Sequence, residues 1–175
     1  MRKILFKNLV RGPVTEKGPE AGADELAELA RQTDAAARRR LGRSLAIREI
    51  DAGSCNGCEL EIHALNNPFY DLERFGFKFV ASPRHADVLM VTGPVTHNMR
   101  EALERTYNAT PNPKWVVAVG DCACDGGVFA GSYACVGAAD KIVPVDLRIR
   151  GCPPDPLQLL RGLLALLETA AAKPK

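Results

Sequence analysis

The chain has 175 residues, 46% hydrophobic and 25% charged, the proportions of a soluble globular protein long enough to bury a substantial core. A net charge of +2 argues against a strongly electrostatic nucleic-acid binder, so no nucleic acid is expected among its partners. No apolar stretch reaches the roughly 18 uncharged residues of a membrane-spanning helix, LLRGLLALLETAAA being interrupted by Arg161 and Glu168.

Residues 1–45 read as an N-terminal arm. Its opening, MRKILFKNLVRGP, lacks the apolar core of a secretion signal. GPVTEKGPEAGADE is a turn-rich linker, and DELAELARQTDAAARRRLGR predicts a helix opened by Asp24 and closed by basic residues. Arg38, Arg39, Arg40 and Arg43, with Arg2, Lys3 and Lys7, make the arm basic. Such a run is either a solvated helix face or a contact with a membrane surface or partner subunit.

Residues 46–175 alternate between strand and helix. LAIREI and FKFV predict short strands, and ADVLMVTG is the near-continuous apolar run of a buried parallel strand. HNMREALERTYNA is an amphipathic helix stopped by PNP, followed by the strand KWVVAVG and the loop DCACDGG. DKIVPVD predicts a further strand whose Pro144 puts it near an edge. After GCPPDP comes the helix PLQLLRGLLALLE, with Pro156 suited to its first position. Strands separated by helices imply an α/β fold, a parallel sheet covered on both faces.

Six cysteines without a secretion signal point to metal or redox chemistry before structural disulfides. Cys55, Cys58, Cys122 and Cys152 each fall just past the carboxyl end of an expected strand. Those ends share one edge of an open α/β sheet, where ligands usually bind. Four thiolates around one object suit a four-cysteine zinc site or an iron–sulfur cluster, and the leading pair alone suits a redox dithiol. Zinc sites tend to use two close pairs. Here one pair is joined by two single cysteines in the glycine-bearing loops VGDCACDGG and IRGCPPDP, which favours a [4Fe–4S] cluster. The glycines let backbone amides approach the sulfurs. Cys124 and Cys135 read as small buried hydrophobes.

CNGCELE, FGFKFVASPRHADVLMVTGPVTHNM, PKWVVAVGDCACDGGVF and DKIVPVDLRIRGCPPDPLQLLRGLL resemble the small-subunit family shared by [NiFe]-hydrogenases and respiratory complex I, over about residues 46–167. The resemblance implies a flavodoxin-like fold and one [4Fe–4S] cluster held by Cys55, Cys58, Cys122 and Cys152. Glu61 matches an acidic position beside the cluster. It implies either coupling of a proton to cluster reduction or, together with Glu59, stabilisation of a helix N-terminus, the reading favoured for Glu59. His63 lies outside the thiolate set.

Asn56 and Gly57 give the C-x-G-C pattern of hydrogenase small subunits, whereas SPRHADVL, PVTHNM and IVPVD…GCPP look like the complex I side. That mixture resembles the membrane-bound, energy-converting (group 4) hydrogenases, including the formate hydrogenlyase type. Cys124 and the acidic pair Asp121 and Asp125 depart from the family pattern. The implied role is electron transfer between a ferredoxin-like subunit and the active centre of a large subunit. The chain would sit on the cytoplasmic side of the cell membrane, held peripherally through integral membrane subunits, as part of a multi-subunit oxidoreductase. Two alternatives stay open: a small subunit of the NADH-quinone oxidoreductase (complex I) type that delivers electrons to quinone, and a zinc-stabilised α/β interaction module.

Overall fold

The structure, a computed structural model, describes residues 23–169. The turn-rich linker and the basic residues Arg2, Lys3 and Lys7 lie outside them. Five strands form one parallel sheet: β1 (Leu45–Asp51), β2 (Phe77–Phe79), β3 (Val88–Thr92), β5 (Trp115–Val119) and β7 (Leu147–Ile149), in the order β2-β1-β3-β5-β7. This is the flavodoxin-like order, with its reversal between β1 and β3. The central strands VLMVT and WVVAV are buried throughout, as a sheet covered on both faces requires. A short antiparallel pair, β4 (Val95–Thr96) and β6 (Cys135–Gly137), lies outside this sheet.

The helices are α1 (Ala23–Leu41), α2 (Gly57–Ala64), α3 (His97–Ala109), α4 (Gly120–Asp125) and α5 (Pro156–Thr169). On one side of the sheet, Ile62 and Leu65 at α2 and Leu159, Leu160 and Leu163 of α5 meet Leu45, Ile47, Met90 and Val117. On the other, Leu103 of α3 and Ala123 and Cys124 of α4 meet Ile50, Leu89, Val91 and Ala118. The alternation of side chains along each strand divides the apolar residues between these two cores. Thr96 starts α3 by accepting a hydrogen bond from the Met99 N–H at 3.3 Å.

Helix α1 forms where the sequence predicts a helix, and it is part of the larger core. Ala30 and Thr33 are fully buried, Ala36 and Ala37 join the apolar cluster, and Arg161 of α5 bonds Glu25 at 2.5 Å. The boundary expected at residue 45 therefore has no break in packing beside it. Arg38 bonds Asp34 at 2.8 Å and Arg43 bonds the buried Asp87 at 2.6 Å. Asp87 also accepts the Ala46 N–H at 3.0 Å, which ties the end of the α1 segment to the start of β1.

Two expected elements differ. The last strand is Leu147–Ile149 and not the DKIVPVD stretch, whose first two residues end a 3₁₀ turn at Ala139–Lys141. Pro144 has no N–H for a ladder, and the parallel pairing with β5 begins at Leu147 opposite Val117. Asp146 prepares that pairing, its carboxylate accepting the Val116 N–H at 2.8 Å. DCACDGG, expected as a loop, opens with the six-residue helix α4, bounded by Gly120 and Gly126 in left-handed conformations (φ +83° and +97°). It is too short to show a helical period in the sequence.

Candidate functional site

Each of the four expected cysteines stands just beyond a strand of the sheet. Cys55 and Cys58 follow β1 and open α2, Cys122 lies in the first turn of α4 after β5, and Cys152 follows β7. Parallel pairing puts all these ends on one edge, so residues nearly a hundred positions apart become neighbours. Burial pushes the Cys58 thiol up to about 12, and the charges of Glu59, Cys122, Cys55 and Cys152 act in the same direction. Cys122 is raised first by burial, then by Cys152 and Cys55, while a hydrogen bond from the Val128 N–H to its sulfur opposes the shift. Cys58 thus lies within electrostatic reach of the other three.

Glycine backbone comes close beneath three of the four sulfurs. A Cβ on Gly120 would stand 2.5 Å from Cys58 Sγ, and one on Gly127 would stand 3.0 Å from Cys122 Sγ. A Cβ on Gly57 would stand 3.5 Å from Cys55 Sγ and 3.9 Å from Pro153, beside Cys152. Gly120 is also in the left-handed region, so glycine is required there both for conformation and for room. Just ahead of α2, Asn56 takes a left-handed conformation (φ 70°), which turns the chain between the paired cysteines. Soft thiol donors set against backbone amides are the chemistry that iron–sulfur clusters use, so these residues fit such a group. Among the described residues no three His, Cys, Asp or Glu side chains converge tightly enough to hold a metal ion. The thiols share an edge without closing on one point.

Cys55 and Cys152 are exposed, and the exposed apolar residues Leu60, Val128, Phe129 and Tyr133 belong to the segments that follow Cys58 and Cys122. Cys124 is buried beneath the edge, its sulfur 3.7 Å from the carbonyl oxygens of Ala118 and Ile149. Burial raises its thiol to about 11, against the nearby Arg150 charge, which opposes the shift. Cys135 lies on β6 opposite Thr96.

The two acidic residues of α2 differ in burial. Glu61 is half-buried, whereas Glu59 is only 6% exposed and neither of its carboxylate oxygens has a hydrogen-bond partner. Glu49 of β1, raised first by burial and then by the charge of Glu59, faces the same helix. Arg48, Glu49, His63 and Asn66 line an open cavity of about 270 Å³ with Phe79 to Ala81. The sequence reading missed the burial of Glu59; its position directly after Cys58, on the helix face turned to β1, was the available signal. It also missed a set of contacts between the two single-cysteine loops. Asp121, immediately before Cys122, donates its N–H to the Gly151 carbonyl at 2.9 Å and accepts the Gly151 N–H on its carboxylate at 3.1 Å. Gly151 immediately precedes Cys152.

A model of the family described as NADH ubiquinone oxidoreductase, 20 Kd subunit, matches residues 55–166. The probable membrane-bound hydrogenase subunit mbhJ of Pyrococcus furiosus is 48% identical over 131 residues, 75% of this chain and 78% of that one. Formate hydrogenlyase subunit 7 of Escherichia coli is 47% identical over 133 residues, 74% of this chain but 52% of its own length. Among solved structures, a chain of the membrane-bound sulfane sulfur reductase, an archaeal respiratory membrane complex, superposes with a TM-score of 0.65 at 35% identity, covering 78% of this chain and 76% of that one. The family model takes in all four of these cysteines and more than half of the chain, and the chain belongs to the NADH ubiquinone oxidoreductase 20 Kd subunit family.

Proposed function

We propose that the chain is the electron-transfer subunit of a membrane-associated hydrogenase of the group 4 type, carrying one [4Fe–4S] cluster on Cys55, Cys58, Cys122 and Cys152. The observation that carries this reading is the gathering of four thiols from three separate loops on one sheet edge, with glycine backbone beneath three of the sulfurs. Once bound there, the cluster supplies reversible one-electron transfer.

The chain's own residues bind, tune and shield. The Val128 N–H spreads charge from the Cys122 sulfur. Pro153 and Pro154 restrict the chain after Cys152. The exposed Leu60, Val128, Phe129 and Tyr133 give the edge an apolar border on which a large subunit would close and exclude water. Exposure of Cys55 and Cys152 on that border suits a group that passes electrons across an interface. A ferredoxin-like subunit is the proposed donor. Glu61, three residues after Cys58, is proposed to couple a proton to reduction, and Glu61→Gln should then flatten the pH dependence of the midpoint potential.

No helix among the described residues is long and apolar enough to cross a membrane. Attachment on the cytoplasmic side through integral membrane subunits fits the relatives, which are named as membrane-bound hydrogenase and formate hydrogenlyase subunits. A second reading, delivery of electrons to quinone, is favoured by the family's own description as a ubiquinone oxidoreductase subunit. A neighbouring gene for a large subunit with nickel-ligand cysteine pairs supports the hydrogenase reading; one without them supports the quinone reading.

The direct test is the spectrum of anaerobically purified protein before and after dithionite, with iron and sulfide content. Serine at Cys55, Cys58, Cys122 or Cys152 should abolish or alter the iron–sulfur chromophore, whereas Cys124→Ser and Cys135→Ser should keep it. A colourless, EPR-silent wild-type protein containing zinc would sink the proposal. Loss of the chromophore in Cys124→Ser with retention in Cys122→Ser would overturn the ligand set.

A further inference from the structure

The acidic pair Asp121 and Asp125 flanks Cys122 within α4, and Arg150 lies two residues before Cys152. Arg150 Nη1 bonds Asp125 Oδ2 at 2.7 Å and lies 3.8 Å from Asp121 Oδ1. That same Asp121 oxygen accepts the Gly151 N–H, while the Asp121 N–H returns a bond to the Gly151 carbonyl. Asp125 is anchored in turn, its other oxygen accepting the Gly127 N–H at 2.9 Å. The residues immediately before two of the site's cysteines are therefore bonded to each other in both directions, and one guanidinium bridges the two carboxylates across the same seam.

We infer that Arg150, Asp121 and Asp125 form a clamp that positions the Cys122 and Cys152 loops for their shared group, an inference that rests on the cluster reading above. The arginine side chain is 62% exposed and the two carboxylates 38% and 50%, so the pair adds little to the stability of the fold. Its effect is local. The two segments are joined otherwise by the paired Asp121–Gly151 bonds and by the Cys124 sulfur against the Ile149 carbonyl, and any separation of the loops displaces one thiol from the other. The clamp also sets charge: Arg150 offsets carboxylates that would otherwise stand uncompensated beside an anionic thiolate cluster, whose potential follows the charge around it.

The test uses the full chain in three variants, Arg150→Ala, Asp125→Asn and the double variant, with the exchanged pair Arg150→Asp/Asp125→Arg as rescue. Expected is cluster loss to a chelator about tenfold faster in the first three, the scale on which groups supporting metal ligands act. The exchanged pair should recover toward the wild-type rate, and thermal midpoints of the metal-free chain should be unchanged. The midpoint potential should fall in Arg150→Ala, rise in Asp125→Asn and stay near wild type in the double variant, whose net charge is the same. In the metal-free chain, cross-linking of Cys122 to Cys152 by a short bismaleimide should slow in Arg150→Ala. Wild-type rates of cluster loss and cross-linking in the double variant would overturn the clamp. A wild-type chain that forms no iron–sulfur chromophore while Arg150→Ala still slows the cross-link would reject the cluster reading and leave the clamp standing.

Discussion

Gly120→Ala separates the geometry of the cysteine edge from ordinary backbone strain. The residue sits at φ +83°, where an L side chain costs about 1–2 kcal/mol. Its new Cβ would also meet Cys58 Sγ at 2.5 Å, whereas its next neighbour, the Gly151 carbonyl oxygen, is at an ordinary 3.5 Å. The clash therefore falls on one sulfur, which must withdraw by roughly 1 Å to reach normal contact. Were the sulfur held, overpacking would add about 1–3 kcal/mol; if it yields, the cost appears as a misplaced thiol.

Gly131 supplies the control, since it has nearly the same conformation (φ +80°) with nothing within 4 Å of a Cβ. Gly131→Ala should lower the thermal midpoint by roughly 2–8 °C, from the strain cost and the sensitivity of a chain this size, and should keep its iron. Gly120→Ala should lose at least as much stability and, in addition, most of its iron and visible absorbance. The assay is iron and sulfide per chain, read beside the thermal midpoint of each variant. Full iron content in Gly120→Ala, with stability matching Gly131→Ala, would refute the placement of Cys58 against the α4 backbone.

Stability of the metal-free chain should decline with rising pH. Burial raises Glu49 above 4.5, Cys122 above 9.0, and Cys58 from 9.0 to about 12. A folded pKa above the unfolded one gives stability that is complete below the unfolded value and lost as pH rises through the folded value. The thermal midpoint should drop as Glu49 ionises above 4.5, then again across the interval from 9.0 to about 12. Cys58→Ser should remove part of the upper decline, and an unchanged upper decline in that variant would contradict the assignment. Helix α1 should behave as core: Ala37→Glu places a charge at a 1% exposed position and should cost several kcal/mol. Circular dichroism melts check this, and a wild-type midpoint would show that the α1 packing does not contribute to the folded state.

Much of the fold was legible because the signals were local. Apolar runs such as VLMVT and WVVAV mark strands buried on both faces, and the helices between them force parallel connections. Once strands run parallel, cysteines placed just after them must share an edge, so Cys55, Cys58, Cys122 and Cys152 could be grouped before any coordinates. Helix α4 was missed because six residues carry less than two turns of pattern. The last strand was misplaced because IVPV resembles a strand locally, while pairing with β5 selects Leu147–Ile149.

The sequence by itself determined the strand–helix alternation, the parallel sheet and the cysteines at its carboxyl edge, since each follows from residue type, short-range period and chain connectivity. Only the tertiary structure decided that Glu59 is buried and Glu61 is not, that Cys124 bonds inward to Ala118 and Ile149, and that Asp121 locks to Gly151. Those outcomes depend on which surfaces meet across the sheet. The contact between Asp121 and Gly151 joins residues thirty positions apart, and no local pattern encodes a distance that packing alone creates.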